Sequence, residues 1–99
     1  MKLQVQSIHF DADQKLLDFI QRKADKLETF HDHIIDGEVF LKLDKDVSDR
    51  NKVVEMKVQV PGKMLFAKEQ CKSFEEATDQ AVDSLRRQMK KHKEKMRAV

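Results

Sequence analysis

The sequence predicts an α+β fold with the element order β-α-β-β-β-α, in which two helices pack on one face of a four-stranded mixed sheet. Three observations lead to this fold. Short stretches alternate between polar and apolar side chains, as half-buried strands do. Two longer stretches carry apolar residues every three or four positions, as amphipathic helices do. The length of 99 residues suits one folded unit, so we expect residues 1–99 to form a single domain.

The N-terminal third contains the first predicted strand and the first predicted helix. Residues 2–9 alternate with a period of two, which indicates a strand with one buried face. Asp11 or Asp13 then stands where a helix N-cap is expected, and the helix runs to about Phe30. The apolar stripe of this helix consists of Leu16, Leu17, Ile20, Ala24 and Leu27.

Three further strands follow without a helix between them. Residues 39–43 alternate, and residues 54–60 give the clearest alternation in the chain. The pair Pro61-Gly62 suits the central positions of a type II turn, so the chain should reverse into a fourth strand at residues 64–71. A strand-helix-strand crossover pairs its strands in parallel, and the short connections after it give antiparallel pairs, which makes the sheet mixed.

The last quarter of the chain, from Ser73 to Arg97, predicts one long helix. Ser73 and Glu76 have the spacing of a capping box, which satisfies two backbone N–H groups at the helix start. Acidic residues lie in its first half and basic residues in its second, which matches the helix dipole. The positions predicted to face the core are Phe74, Thr78, Ala81, Val82, Leu85, Met89, His92 and Met96.

Basic charge is concentrated at the end of this helix. Residues 86–97 hold seven Lys and Arg residues and one acidic residue, a local charge of +6, whereas the rest of the chain carries −4. Dipole complementation fades within the last turn, so we expect an anionic partner. A strand of eight residues spans ~26 Å, whereas a helix of 25 residues spans ~37 Å. Residues 91–97, which we call the basic prong, should therefore extend past the sheet, with Met96 less buried than its phase indicates.

Lysine and arginine on a rigid helix favour a phosphate-bearing partner, and RNA is the leading candidate. The exposed face of the third strand is polar, and only Phe40 looks available for stacking, most simply as a half-buried residue at a sheet edge. Recognition should rest on shape and phosphate position, with Lys23 and Lys26 adding to the prong if the helices lie side by side. The candidate RNA-binding residues are Arg22, Lys23, Lys26, Arg86, Arg87, Lys90, Lys91, Lys93, Lys95 and Arg97.

Other chemistry is sparse in the sequence. His31 and His33 could hold a metal only weakly, since no further ligand stands at a recognisable spacing, and we expect no metal, cofactor or small-molecule substrate. Cys71 is expected to be a buried or half-buried thiol. No apolar run approaches the ~20 residues of a membrane span, and the chain does not open as a signal peptide. We expect a cytoplasmic protein that is not an enzyme and does not contact a membrane.

Residues 85–96 make the pattern specific. Their run Leu-Arg-Arg-Gln-Met-Lys-Lys-His-Lys-Glu-Lys-Met resembles the Arg-Gln-x-x-Lys-His-Lys-x-Lys signature of the bacterial ribosome hibernation factors. This family includes the short hibernation promoting factor and ribosome-associated inhibitor A, and its fold is the β-α-β-β-β-α arrangement. The resemblance covers nearly the whole chain and includes Phe19, Lys23, residues 26–28, Asp32 and residues 39–42.

The resemblance implies a stationary-phase or stress factor that regulates translation. Such a factor binds 16S ribosomal RNA of the small subunit in the channel for messenger and transfer RNA, near the decoding site, and is a monomer when free. It silences ribosomes, with or without pairing them into inactive dimers. The family's basic contacts carry over to Lys23, Lys26, Arg87, Lys91, Lys93 and Lys95, whereas Arg22, Arg86, Lys90 and Arg97 are added from charge and helical phase.

Two departures and two alternatives accompany this interpretation. Ser73 stands where relatives often have Asp, and Glu75 where an aromatic is common, so packing at the helix start should differ. We also expect the chain to act without the dimerising domain of the long form or the tail of the inhibitor. One alternative is a general double-stranded RNA-binding module, and the other is a basic amphipathic helix that docks on a membrane or a partner protein.

Overall fold

A computed structural model describes residues 1–30 and 33–97, with side chains through residue 95. It confirms the predicted order of four strands and two helices. A 3-10 turn extends the first helix. The strands are β1 (Leu3–Ser7), β2 (Asp36–Leu43), β3 (Lys52–Val60) and β4 (Lys63–Cys71), the helices are α1 (Gln14–Asp25) and α2 (Phe74–Arg97), and the 3-10 turn is Lys26–Thr29.

The sheet has the strand order β1-β2-β3-β4. β1 pairs with β2 in parallel because α1 carries the chain back to the start of the sheet, and the two later pairs are antiparallel. Val60 faces Lys63 across the last connection. Gly62 has a φ of 82°, which is the value that a type II turn requires at its second central position. The predicted mixed sheet is confirmed.

The core lies between one face of the sheet and the two helices. Alternate residues of β3 and β4 point into it, and α1 and the 3-10 turn contribute Ile20 and Leu27. No described helix covers the opposite face, which we call the open face of the sheet; Val53 is buried there, and the other side chains are exposed or half-buried. The buried side chains that the strands contribute are Val39, Leu41, Val54, Met56, Val58, Val60, Leu65, Ala67 and Cys71.

The ends of the first two elements differ from the prediction. β1 stops at Ser7, and His9 has a φ of 66°, which is incompatible with a continuing strand. Asp13, not Asp11, caps α1, since its Oδ1 accepts a hydrogen bond from the Leu16 amide at 2.8 Å. The helix changes to 3-10 geometry after Asp25, where the Thr29 hydroxyl donates to the Lys26 carbonyl at 2.7 Å. That side-chain bond satisfies a carbonyl at the helix end.

Candidate nucleic-acid interface

The start of α2 is fixed by its predicted cap. The Ser73 hydroxyl accepts a hydrogen bond from the Glu76 amide at 3.1 Å, and the Ser73 carbonyl accepts one from the Ala77 amide at 3.1 Å. These bonds satisfy N–H groups of the first turn. The helix therefore begins directly after β4, and its direction along the sheet is set at that point.

The buried face of α2 follows the predicted apolar phase. Thr78, Ala81, Leu85 and Met89 are buried, and Ala77, which the prediction omitted, is buried with them. The Met96 side chain lies outside the described residues. On the β4 side, the side-chain Nε2 of Gln88 donates to the backbone carbonyl of Phe66 at 2.8 Å, which ties the helix to the edge strand. The predicted core positions that remain half-buried are Phe74, Val82 and His92.

The last part of α2 extends beyond the packed core. Met89 is the last buried residue of the helix among those whose side chains the structure describes, and residues 90–95 are exposed or half-buried. A helix of 24 residues is ~36 Å long, and the longest dimension of the molecule is 47 Å. The helix therefore continues past its last buried residue through the described side chains of residues 90–95, and its projection past the sheet edge stays a prediction. The Arg97 side chain lies outside the described part.

The basic residues of α2 form two stripes along the helix, each about 120° around the axis from the buried face. Both stripes extend into the basic prong, so anionic groups can approach it from two sides. Lys90, Lys91 and Lys95 are exposed, and no ion pair within the described residues involves them. The first stripe consists of Arg86, Lys90 and Lys93, and the second of Arg87, Lys91 and Lys95.

Asp83 holds the two arginines at the base of these stripes. Its carboxylate lies 2.9 Å from Nη2 of Arg86 and 3.6 Å from Nη1 of Arg87. The hydrogen bond from Arg86 lowers the pKa of Asp83 below its ordinary value. The sequence analysis assigned Asp83 only a favourable interaction with the helix dipole. Its spacing of three and four residues from the arginines is nevertheless typical of helical ion pairs.

Lys23 in α1 lies apart from the prong. Nζ of Lys23 lies 3.1 Å from Oδ1 of Asp79, which precedes Lys91 by a helical distance of ~18 Å. Lys23 also lies 5.4 Å from the centre of the Phe19 ring, and the Arg22 guanidinium lies 5.8 Å from it. Lys26 is exposed. Lys23 therefore lies beside the acidic half of α2 and does not extend the prong as the sequence allowed.

The aromatic residues lie in places that the sequence did not show. Phe40 is half-buried as predicted, but β2 is a central strand, so Phe40 is not at a sheet edge. Phe30 and Phe66 are the more exposed rings. Phe66 faces Lys57 across β3 and β4, and Nζ of Lys57 lies 5.7 Å from the Phe40 ring centre. The open sheet face therefore carries two aromatic rings around a lysine and is less polar than predicted.

The remaining predictions concern the thiol, the histidines and the membrane. Cys71 is buried, as predicted, and burial raises the pKa of its thiol. His31 lies outside the described residues, so the predicted weak His31 and His33 pair has no structural description. Within residues 1–30 and 33–97, no group of three His, Cys, Asp or Glu residues could hold a metal ion. No helix in that part of the chain has the length and apolar character to cross a membrane.

Comparisons with known proteins agree with this fold. A ribosome hibernation promoting factor of Pseudomonas putida is 30% identical over 99 residues, which are 100% of this chain and 93% of that protein. A ribosome hibernation promotion factor of Bacillus subtilis is 29% identical over 96 residues, which are 97% of this chain and 50% of that protein.

Two solved structures share the fold. The N-terminal domain of Thermus thermophilus Protein Y superposes with a TM-score of 0.81 at 22% identity. The match covers 93% of this chain and 99% of the Protein Y chain. A ribosomal subunit interface protein from Coxiella burnetii gives a TM-score of 0.84 at 20% identity, over 94% and 98% of the two chains. The family described as Sigma 54 modulation protein / S30EA ribosomal protein matches residues 3–97. The chain belongs to this family.

Proposed function

We propose that this chain is a ribosome hibernation factor that binds the small ribosomal subunit and silences translation. Its relatives from Pseudomonas putida and Bacillus subtilis are named ribosome hibernation promoting factor and ribosome hibernation promotion factor, which supports the hibernation role. The proposed contact is 16S ribosomal RNA in the channel for messenger and transfer RNA, near the decoding site. Residues 1–99 act there as one unit, in the cytoplasm and as a monomer before binding.

The basic prong is the observation that carries this proposal. It presents lysines on two sides of a helix that continues past the core, and each neutralised phosphate releases condensed counterions. The helix is held by Leu85 and Met89 in the core, so its position is set before RNA is met. A rigid basic body placed in an RNA-lined channel blocks the channel by occupying it, without chemistry.

The proposed contact residues are the ten basic residues that the sequence singled out. The α2 residues of the two stripes form the main contact. Basic residues of α1 and of the 3-10 turn that follows it supply a second one. Arg86 and Arg87 already contact Asp83. The prong lysines, which form no ion pair within the described part of the chain, should therefore dominate the affinity. The α1 and 3-10 contacts are Arg22, Lys23 and Lys26, and the α2 contacts are Arg86, Arg87, Lys90, Lys91, Lys93, Lys95 and Arg97.

The test is sedimentation of purified ribosomes with the protein in low and moderate salt. The native chain should travel with the small subunit and with intact ribosomes. A variant with Lys91, Lys93 and Lys95 replaced by Ala should bind at least about tenfold more weakly, with the slope of log affinity against log salt reduced by about two to three. Its melting temperature should stay unchanged, because these residues lie beyond Met89.

A matched control removes the same charge elsewhere. Lys15, Lys45 and Lys68 are exposed and lie outside α2, so their replacement by Ala should leave ribosome binding within about twofold. Equal losses in both triple variants would contradict a role for the prong and indicate a net-charge effect. Faster-sedimenting ribosome dimers in the presence of the native chain would extend the proposal to ribosome pairing.

The two alternatives differ from this proposal in measurable ways. A general double-stranded RNA binder would bind any RNA duplex as tightly as it binds ribosomes. A membrane-docking or partner-docking helix would need its apolar face exposed, whereas Leu85 and Met89 are fully buried. Slow amide hydrogen exchange at Leu85 and Met89 in the free protein would therefore exclude docking through that face.

A further inference from the structure

A cleft lies between the residue that follows the 3-10 turn and the part of α2 from which the basic prong extends. Phe30, which follows the 3-10 turn, lines one side, and α2 lines the other. The cleft is open on one side and has a volume of about 360 Å³, which is within the size range of small-ligand sites. Its α2 side chains are spaced by four, seven and eight residues from the first, so they share one face of the helix: Arg86, Lys90, Lys93 and Glu94.

The Phe30 ring lies beside a guanidinium group of this helix and outside the core. The residue is 43% exposed and lies outside the core cluster. The guanidinium carbon of Arg86 lies 5.8 Å from the centre of the Phe30 ring, within the range of cation–π attraction. Arg86 is fixed in turn, since its Nη2 and Nε donate to Oδ1 of Asp83 at 2.9 and 3.3 Å. The ring and the guanidinium plane are therefore positioned before any ligand arrives.

An exposed ring beside clustered cations suits a nucleotide. A nucleobase stacks on an aromatic ring or on a guanidinium plane, and its phosphate is attracted by lysine ammonium groups. Among the described residues that line the cleft, Glu94 is the one acidic residue. Its carboxylate accepts hydrogen bonds, such as those that the exocyclic amino group of adenine, guanine or cytosine donates. Bases within a duplex are stacked and paired, so only an unpaired base can enter.

We infer that the cleft binds one unpaired nucleotide of the RNA that the prong contacts, with the base against Phe30 and the phosphate at Lys90 and Lys93. This inference rests on the proposed function, since the RNA is taken to be ribosomal. The phosphate contacts of the prong do not depend on RNA sequence. The cleft adds to them a preference for bulged or looped RNA. The protein would thereby favour irregular RNA over a regular helix of the same charge.

The inference is tested with two labelled RNA duplexes of equal length, one fully paired and one with a single bulged adenosine. Fluorescence anisotropy with the whole chain should show at least about fivefold tighter binding to the bulged duplex, because stacking on an aromatic ring adds this much or more. Phe30→Leu should abolish the difference, whereas Phe30→Tyr should keep it, because tyrosine retains a stacking ring.

Phe66→Leu is the matched control. Phe66 is 42% exposed, nearly the same as Phe30, but lies on the open face of the sheet. This variant should keep the full preference for the bulge. Equal affinity of the native chain for both duplexes, or a preference that survives Phe30→Leu, would overturn the inference. Urea unfolding of the three variants checks that each one is folded.

Ribosome sedimentation separates the failure of this inference from the failure of the proposed function. A native chain that travels with ribosomes but binds both duplexes equally has no nucleotide cleft, and the proposed function stands. A native chain that prefers the bulged duplex but is absent from every ribosomal fraction has the cleft, and the proposed ribosomal function fails.

Discussion

Asp83 is the residue on which the base of the candidate interface depends. It is partly exposed, yet it contacts two guanidinium groups, and one of these contacts the Phe30 ring. The carboxylate therefore does more than neutralise charge, since it fixes the direction of Arg86. The negative charge of Asp83 also reduces the positive charge that this region offers to RNA. Asp83 therefore orders the Arg86 side chain but weakens the attraction for RNA.

Replacement of Asp83 by Asn should change the stability of the folded protein in a way that depends on pH. The pKa of Asp83 is lowered from its ordinary value of 3.8 by the Arg86 hydrogen bond, so the native contact stabilises the folded state above about pH 4 and is lost as the pH falls through the lowered pKa. Thermal unfolding should show native chain and Asp83→Asn differing by a small constant amount from pH 5 to 7 and converging below pH 4. A difference that grows at acid pH would contradict this assignment.

The buried thiol gives a second prediction at the residue scale. Cys71 is 1% exposed, and desolvation raises the pKa of its thiol, with Glu76 and Glu69 acting in the same direction. Iodoacetamide at pH 8 should therefore alkylate Cys71 very slowly in the folded protein, and the rate should rise across the urea unfolding transition. Alkylation in native buffer at the rate of a free cysteine would show that β4 opens at this end.

At the scale of the element, α2 divides into an anchored part and a projecting part. The anchored part ends at Met89 and packs on β3 and β4, whereas the basic prong has no buried residue in its described part. The two parts should respond differently to mutation, because large-to-small changes affect stability only where the side chain is packed.

Leu85→Ala tests the anchored part. Leu85 is fully buried, so its truncation should lower the free energy of unfolding by about 2–5 kcal/mol, measured by urea denaturation. Arg87→Ala, two residues on and with a side chain that is 65% exposed, should change it by no more than about 0.5 kcal/mol. A loss below about 1 kcal/mol for Leu85→Ala would mean that α2 is not seated in the core.

The elements also show which features the sequence could predict. Residues 54–60 lie within β3, because a strand with one buried face must alternate. The end of α1 was predicted less well, since Leu27 keeps the helical side-chain phase while the backbone has already tightened to 3-10 geometry. Side-chain periodicity reports which face is buried and not which backbone hydrogen bonds form.

The candidate site was predicted in its charge and missed in its aromatic part. The density of basic residues after Arg86 is visible in the sequence, and the prong follows from comparing lengths of strands and helix. The contact between Phe30 and Arg86 depends on how the first helical segment lies against α2, and these residues are far apart in the chain. No local spacing contains that information.

At the scale of the whole molecule, the positive charge is separated from the negative. Residues 86–97 carry +6 and the remainder −4, so the net charge of +2 understates the attraction for RNA. Association with ribosomes should weaken as salt rises, with log affinity falling against log salt at a slope of about −4 to −6 for five to seven phosphate contacts. Sedimentation at several salt concentrations measures this slope, and a value near zero would show that the charges do not contact phosphate.

The acidic first half and the basic second half of α2 also give this helix a side-chain dipole along its axis. Near a negatively charged opening, such a dipole experiences a torque that turns the basic end inward before contact is made. The orientation in which the protein arrives is then selected during diffusion. Added salt would weaken this torque, so a smaller fraction of encounters would begin in the binding orientation. The association rate would then fall even at an unchanged frequency of encounters.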